Sequence, residues 1–260
     1  MIKVTRQSQA TATKVTRQSQ ATAPDCTKYR EQCISFTIHN LQFTIFRMDF
    51  LPKNINDYCL AHTTPESALL AELDRQTHLK ILMPRMLSGH LQGRFLAMIV
   101  QMLQPQNILE IGTYTGYSAL CLAEGLPENG TLTTIDINEE LEDFVRSFFE
   151  KSAFNHKITY KIGNATQIIP TLTQTFDLVF IDADKVNNGV YFDLVLDKVR
   201  KNGFILIDNV LWSGKVAENL PKTDKDTRQV QDFNQKIQND IRVENMLLPL
   251  RDGIMIVRKK

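Results

Sequence analysis

Two short apolar runs that end abruptly in acidic residues constrain the fold more than any other feature of this chain. One run ends in Asp182-Ala183-Asp184-Lys185, and the other ends in Asp208-Asn209. A short apolar run followed by carboxylates is typical of a buried strand that carries polar side chains to the open end of a parallel sheet. Carboxylate and amide oxygens are hard ligands, which suit Mg²⁺, Mn²⁺ or Ca²⁺ better than zinc. The pattern therefore predicts an α/β protein with a metal site.

Strand and helix patterns alternate through most of the chain. Short apolar runs predict strands at 108–111, 131–137, 158–162, 178–181, 204–207, 243–248 and 254–257. Helices are predicted at 90–103, 116–124, 139–153, 166–172, 188–200 and 226–240, with a further helix that opens at Thr64-Pro65. Asp252-Gly253, between the last two strands, predicts an antiparallel hairpin. The expected fold class is therefore α/β, a Rossmann-like sheet of seven mostly parallel strands with helices on both faces.

The N-terminal segment, residues 1–47, differs in character from the rest of the chain. Residues 3–12 recur verbatim as residues 14–23, and the repeat is rich in Thr, Ser and Gln. Such a composition buries too little apolar surface to fold, so we expect either a disordered tail or a non-native extension translated from upstream DNA. Residues 48–260 are expected to form one domain, with helices of 48–105 as a lid over a sheet core at 106–260.

Composition and charge argue against several classes of function. A formal net charge of +1 argues against a broad surface for nucleic acid or for a membrane. No apolar run approaches the ~20 residues of a membrane span, and none resembles a signal peptide. The four cysteines show no zinc-like spacing, which favours free thiols in a reducing compartment. We therefore expect a soluble cytoplasmic protein.

A glycine-bearing turn upstream of the acidic clusters indicates a cofactor site. Glu110-x-Gly112-x-x-x-Gly116 follows a predicted strand and opens a predicted helix, but it is not the dinucleotide fingerprint. The acid at the strand end suits a cationic ligand instead of a pyrophosphate. Asp136 ends the next strand, where a carboxylate can accept both hydroxyls of a ribose. S-adenosylmethionine has these properties, although a generic βα turn remains the alternative interpretation.

Three motifs, in this order, resemble the cation-dependent O-methyltransferases. They are Glu110–Ser118 (EIGTYTGYS), Ile181–Lys185 (IDADK) and Asp208–Gly214 (DNVLWSG). That family includes caffeoyl-CoA and catechol O-methyltransferases, and this chain is most similar to its bacterial branch. The resemblance covers about residues 55–260. It implies the class I methyltransferase fold, S-adenosylmethionine as cofactor, a divalent cation (Mg²⁺ before Mn²⁺ or Ca²⁺) and a homodimer.

The resemblance also implies roles for individual residues. The cofactor would be bound by Ser88, Glu110, Gly112, Thr113, Ser118, Asp136, Ala165 and Asp184. The metal would be bound by Asp182, Asp208 and Asn209, with Asp182 also counted as catalytic. Lys185 would be the general base. The structural alternatives are that Asp182 and Asp184 cap a helix, that Asp208-Asn209 is an ordinary turn, and that Lys185 is a solvated lysine.

The resulting hypothesis is a metal-dependent O-methyltransferase that uses S-adenosylmethionine on a small aromatic diol, either catechol-like or of the caffeoyl type. Bacterial members of the family that methylate a hydroxylated uridine of transfer RNA provide a first alternative. A protein that binds S-adenosylmethionine without catalysis is a second alternative. The presence of Asp182, Lys185 and Asp208 favours catalysis over binding alone.

Overall fold

The computed structural model describes residues 52–218 and 224–260, together with the backbone of strands at 3–6, 33–38 and 41–46. It divides into two units, residues 1–49 and residues 50–260. In the first unit, β1 (Lys3–Arg6), β2 (Cys33–Ile38) and β3 (Leu41–Phe46) form an antiparallel sheet in the order β1-β3-β2. The second copy of the repeat lies outside the described residues. The disordered or non-native character of residues 1–47, and the domain boundary after them, therefore stay predictions.

The second unit is built on a seven-stranded sheet, as predicted. Its strands are β4 (Asn107–Ile111), β5 (Thr131–Asp136), β6 (Ile158–Ile162), β7 (Phe176–Ile181), β8 (Val199–Asp208), β9 (Val243–Leu248) and β10 (Ile254–Lys259). Their order is β6-β5-β4-β7-β8-β10-β9. Strands β4 to β8 pair in parallel, whereas β10 runs antiparallel to both β8 and β9. This arrangement confirms the predicted fold class.

Helices cover both faces of this sheet. They are α1 (Lys53–Ala61), α2 (Ala68–Lys80), α3 (Gly89–Leu103), α4 (Tyr117–Gly125), α5 (Glu142–Lys151), α6 (Ala165–Thr171), α7 (Asn188–Leu196) and α8 (Lys225–Asn239). Side chains of α2 to α5 form one buried apolar cluster, and those of α6 to α8 form the other. Ile108 joins the first cluster and its neighbour Leu109 joins the second, which explains why the central strands are apolar without alternation.

Several element boundaries differ from the prediction. The helix expected to open at Thr64-Pro65 begins at Ala68, because the Ser67 hydroxyl caps it by accepting a hydrogen bond from the Leu70 N–H. The helix predicted at 188–200 ends at Leu196. Residues 199–203 instead begin β8, but residues 200–202 are polar and exposed, so this stretch lacks the apolar pattern that would have identified a strand. The pairing of β7 with β8 shifts register at the same place. Helix α1 was not predicted.

None of the helices in the described part of the chain combines the length and the apolar character needed to cross a bilayer.

Candidate active site

The acidic residues singled out in the sequence lie together at the carboxyl edge of the sheet. Register pairs Ile111 of β4 with Ile135 of β5 on one side and with Ile181 of β7 on the other. Ile181 in turn pairs with Ile207 of β8. Each of these isoleucines is next in sequence to one acidic residue, and the four acids are Glu110, Asp136, Asp182 and Asp208. The paired strand tips therefore align the four acids in a row.

Gly112 allows the turn after β4 to approach the tip of β7. Its φ is +99°, and a Cβ there would lie 2.1 Å from the main-chain oxygen of Asp182. The Gly112 N–H donates to the Ile135 carbonyl at 2.9 Å, while the Asp182 N–H donates to the Ile111 carbonyl at 2.8 Å. The close contact therefore requires glycine at this position. It joins the cofactor turn to the strand end that bears Asp182.

Glu110 is a fully buried carboxyl group near the carboxyl end of β4. Thr134 donates its hydroxyl to Glu110 Oε2 at 2.5 Å, and Thr113 Oγ1 lies 2.6 Å from Thr134 Oγ1. Burial raises the pKa of Glu110 to about 8, and the hydroxyls of Ser118 and Thr134 oppose that shift in part. Glu110 Oε1 has no hydrogen-bond partner among the described residues. A buried carboxylate oxygen that lacks a donor fits a ligand that carries an ammonium group.

Asp136 is held by two main-chain amides. Its Oδ2 accepts from the Tyr114 N–H at 2.6 Å, and its Oδ1 accepts from the Asn138 N–H at 2.9 Å. The Gly163 N–H donates to the Asp136 carbonyl at 2.8 Å, which brings the loop before Ala165 to the same strand tip. Each carboxylate oxygen keeps a free lone pair, which suits the ribose hydroxyls that the sequence predicts.

One cavity brings together five of the predicted site residues, namely Ser88, Gly112, Thr113, Ser118 and Asp182. The rest of its lining comes from Met86, Leu87, Tyr114, Thr115 and Tyr117. Ser88 reaches this cavity from the segment before α3. The cavity is therefore formed by the cofactor turn on one side and by the N-terminal helical segment on the other.

Four of the predicted cofactor residues, namely Glu110, Asp136, Ala165 and Asp184, do not line that cavity. Ala165 is buried at the start of α6. Asp184 caps the turn before α7: its Oδ1 accepts from the Asn187 N–H at 3.1 Å, and its Oδ2 accepts from the Tyr191 hydroxyl at 2.6 Å. The helix-cap alternative thus holds for Asp184. The cofactor roles of all the predicted residues stay predictions.

Of the predicted metal ligands, Asp182 lines the cavity, whereas Asp208 and Asn209 stand at the end of β8. Lys185 Nζ lies 3.2 Å from Asp182 Oδ1, and both side chains are mostly shielded from solvent. Asp208 is only 4% exposed, and its Oδ1 accepts from the Asn209 N–H at 2.8 Å. Burial, followed by the Asp182 carboxylate, raises the pKa of Asp208 to about 7, whereas Lys185 lowers it. The described residues contain no group of three or more His, Cys, Asp or Glu side chains placed to hold a metal ion, so the predicted metal-ligand roles of Asp182, Asp208 and Asn209 stay predictions.

These groups fit a hard divalent cation. Two neighbouring carboxylates compensated by one lysine leave an excess of negative charge in a shielded position. Two carboxylates and one amide oxygen form the donor set expected for Mg²⁺, which usually keeps several waters when bound. Asn209 has a φ of +61°, so the loop after β8 turns sharply next to Asp208.

Sequence reasoning missed the contacts that join residues 83–92 to the sheet and its loops. The Tyr114 hydroxyl donates to the Met83 carbonyl at 2.8 Å, and Arg251 Nη1 donates to the Leu87 carbonyl at 2.8 Å. The Gln92 amide donates to Asp208 Oδ2 at 2.9 Å. Gln92 could have been noticed as a polar residue one turn before Leu96, on the apolar face of the predicted helix. Nothing in the local pattern identifies the partner of Arg251.

Comparisons with known proteins agree with this architecture. Residues 60–260 match the model of the O-methyltransferase family. The chain is 36% identical over 180 residues to a caffeoyl-CoA O-methyltransferase of Petroselinum crispum, an alignment that covers 65% of this chain and 74% of that protein.

Solved structures of O-methyltransferases also match this chain. The O-methyltransferase of Bacillus cereus in complex with SAH superposes with a TM-score of 0.74 at 30% identity, covering 80% of this chain and 97% of that one. The O-methyltransferase TomG of Streptomyces achromogenes, in complex with SAM, superposes with a TM-score of 0.73 at 26% identity, covering 80% and 96%. The seven-stranded sheet, the row of acids at its carboxyl edge and these matches confirm the predicted resemblance, and the chain belongs to the O-methyltransferase family of enzymes.

Proposed function

We propose that this protein is an S-adenosylmethionine-dependent and divalent-metal-dependent O-methyltransferase that acts on a small catechol-like or caffeoyl-type acceptor. One observation carries the proposal: Asp182 lines the cofactor cavity and is also next to Asp208 and Lys185. The cofactor cavity and the candidate metal site therefore share a wall. A methyl donor in the first would lie beside an acceptor oxygen held at the second.

The cofactor residues have separable tasks. Glu110 pairs with the cofactor ammonium through its unpartnered Oε1, and Asp136 accepts the ribose hydroxyls. Ser88, with the adjoining lid segment, excludes water from the reacting atoms. Because the positive charge of the sulfonium disappears when its methyl group is transferred, a dry site favours the reaction. S-adenosylmethionine supplies the electrophilic methyl group: a new C–O bond forms as the C–S bond breaks, and S-adenosylhomocysteine leaves.

The residues on the other side of Asp182 prepare the acceptor. Asp182, Asp208 and Asn209 would bind the divalent cation, which lowers the pKa of an acceptor hydroxyl and orients a vicinal diol. With the divalent cation supplying the positive charge beside Asp182, Lys185 Nζ in its neutral form would accept the hydroxyl proton as the methyl group is transferred. The Lys185 side chain is 16% exposed, so the proton can pass from it to solvent after transfer. Positioning of this kind can contribute ~7–11 kcal/mol to the lowering of the barrier.

A catechol-like or caffeoyl-type acceptor is supported by the caffeoyl-CoA O-methyltransferase among the relatives. We also propose a homodimer, because α3 exposes the apolar side chains of Met98 and Met102, which are four residues apart on one helix face. A cytoplasmic location remains part of the proposal.

An acceptor screen tests the proposed function. Purified protein with labelled S-adenosylmethionine would be offered catechol, caffeoyl-CoA and total transfer RNA, each with Mg²⁺ or with a chelator. We expect label on the vicinal diols with Mg²⁺ and none with the chelator. Full activity in chelator would refute the metal role, label only on transfer RNA would identify the RNA alternative, and no transfer to any acceptor despite cofactor binding would favour the non-catalytic alternative.

A further inference from the structure

Gln92 is a fully buried polar residue that reaches the candidate metal site from the lid. It lies in α3, 116 residues before Asp208 in the chain, and its Nε2 donates to Asp208 Oδ2 at 2.9 Å. Oδ1 of the same carboxylate accepts from the Asn209 N–H at 2.8 Å. Each oxygen of Asp208 therefore has a donor that restricts its direction. Because a carboxylate only accepts hydrogen bonds, the NH₂ end of the Gln92 amide must be the end that faces it.

The backbone at Gln92 is held in place by close packing of α3 against α4. A Cβ on the next residue, Gly93, would lie 2.7 Å from Cys121 Sγ and 2.7 Å from a ring carbon of Tyr117. Only glycine allows the two helices to come this close. Helix α4 begins directly after the cofactor turn, so the same packing fixes Gln92 relative to the cofactor cavity as well as to Asp208.

The other end of the Gln92 amide is unused. Gln92 Oε1 is buried and has no hydrogen-bond partner among the described residues. A buried acceptor without a donor costs free energy, so it is expected where a ligand supplies that donor. A hydrated Mg²⁺ or Mn²⁺ ion brings O–H donors, because these ions usually keep several waters when protein carboxylates bind them.

We propose that Gln92 is a positioning residue for the divalent-cation site: its Nε2 orients the Asp208 carboxylate, and its Oε1 accepts a hydrogen bond from a water of the hydrated cation. The proposal rests on the proposed function, since it requires that Asp208 binds a cation. It also links the lid to the metal site through one side chain.

Cation affinity tests the role of Gln92 without any measurement of turnover. Gln92→Met keeps the length and approximate volume of the side chain and removes both hydrogen-bonding groups. Leu96→Met, one turn later on the same buried face of α3, is the matched control because it introduces the same side chain away from Asp208. Mn²⁺ binding to each full-length protein would be measured by the loss of the free-ion electron paramagnetic resonance signal. S-adenosylhomocysteine affinity would be measured in parallel by calorimetry.

We expect Gln92→Met to weaken Mn²⁺ binding 10- to 100-fold, the range typical when a residue behind a metal ligand is lost. Leu96→Met should leave Mn²⁺ binding within about twofold of wild type, and S-adenosylhomocysteine affinity should be unchanged in both variants. Asp208→Asn distinguishes a failure of the Gln92 proposal from a failure of the metal site itself. If Asp208→Asn loses Mn²⁺ while Gln92→Met binds like wild type, the role of Gln92 is refuted and the proposed function stands. If wild type and Asp208→Asn bind Mn²⁺ equally, the metal site itself is refuted.

Discussion

Cofactor binding should expel a proton from Glu110. Burial raises the pKa of this carboxyl from an ordinary 4.5 to about 8, despite the hydroxyls of Ser118 and Thr134. At neutral pH the cofactor-free protein therefore holds Glu110 mostly in its neutral form. The cofactor ammonium requires the carboxylate, so binding and loss of the proton are linked.

The size of the effect follows from the shift. Well below a pKa of about 8, each unit of pH makes the carboxylate tenfold rarer, so the dissociation constant should rise almost tenfold per unit. Between pH 7.5 and 5.5 the affinity should fall by somewhat less than ~100-fold, or about 2.7 kcal/mol at most. This range keeps the ligand's own amino group largely protonated, since an α-amino group titrates near ~8.

Calorimetric titration with S-adenosylhomocysteine checks this linkage. Without metal, and in two buffers of different ionisation enthalpy, about one proton should be released per ligand bound at pH 6. Glu110→Gln is the control: it keeps the shape of the side chain, cannot ionise, and should bind more weakly with little dependence on pH. A dissociation constant that does not change with pH, or an equal slope in the Gln variant, would refute this assignment of Glu110.

The same shift affects folding stability. The pKa of Glu110 is raised on folding, so the folded protein holds this proton more tightly than the unfolded chain. The resulting contribution to the free energy of unfolding is fully present below about pH 4.5 and is lost as pH rises to about 8. Over that window wild type should lose up to about 5 kcal/mol of unfolding free energy relative to Glu110→Gln. Urea unfolding of both proteins at several pH values measures this difference, and parallel curves would contradict the burial argument.

Three further changes test other parts of the site. Asp136→Ala should weaken S-adenosylhomocysteine binding by about 10- to 100-fold, because the ribose hydroxyls lose a charged acceptor. Calorimetry measures this affinity, and an unchanged value would refute the ribose role of Asp136. Lys185→Met should lower kcat by roughly 10²- to 10⁴-fold with little change in cofactor affinity, whereas unaltered single-turnover rates would exclude it as the base. Gly112→Ala should cost about 2–4 kcal/mol in urea unfolding, because its Cβ would overlap the Asp182 carbonyl. Gly189→Ala, where the nearest atom is 3.9 Å away, is the matched control and should be neutral or slightly stabilising.

The candidate site could be predicted only in part from the local pattern of apolar and acidic residues. Glu110, Asp136, Asp182 and Asp208 could be placed because each lies at the end of an apolar run, and parallel strands end at a common edge. Helix boundaries were harder to predict where two helix-start signals lie close together. At Ser67 a good capping residue stands after a proline that also suits a first helical turn, and only the hydrogen bond from Leu70 shows which of them begins the helix.

The sequence by itself determined the order of strands and helices, the family, and the acids at the strand tips, because apolar periodicity and short motifs are properties of neighbouring residues. Tertiary structure alone decided which buried polar atoms meet. Gln92 with Asp208, Thr134 with Glu110, and Arg251 with the Leu87 carbonyl join segments that are distant in the chain. Such pairings depend on how helices and strands pack across the sheet edge, and no local spacing encodes that geometry.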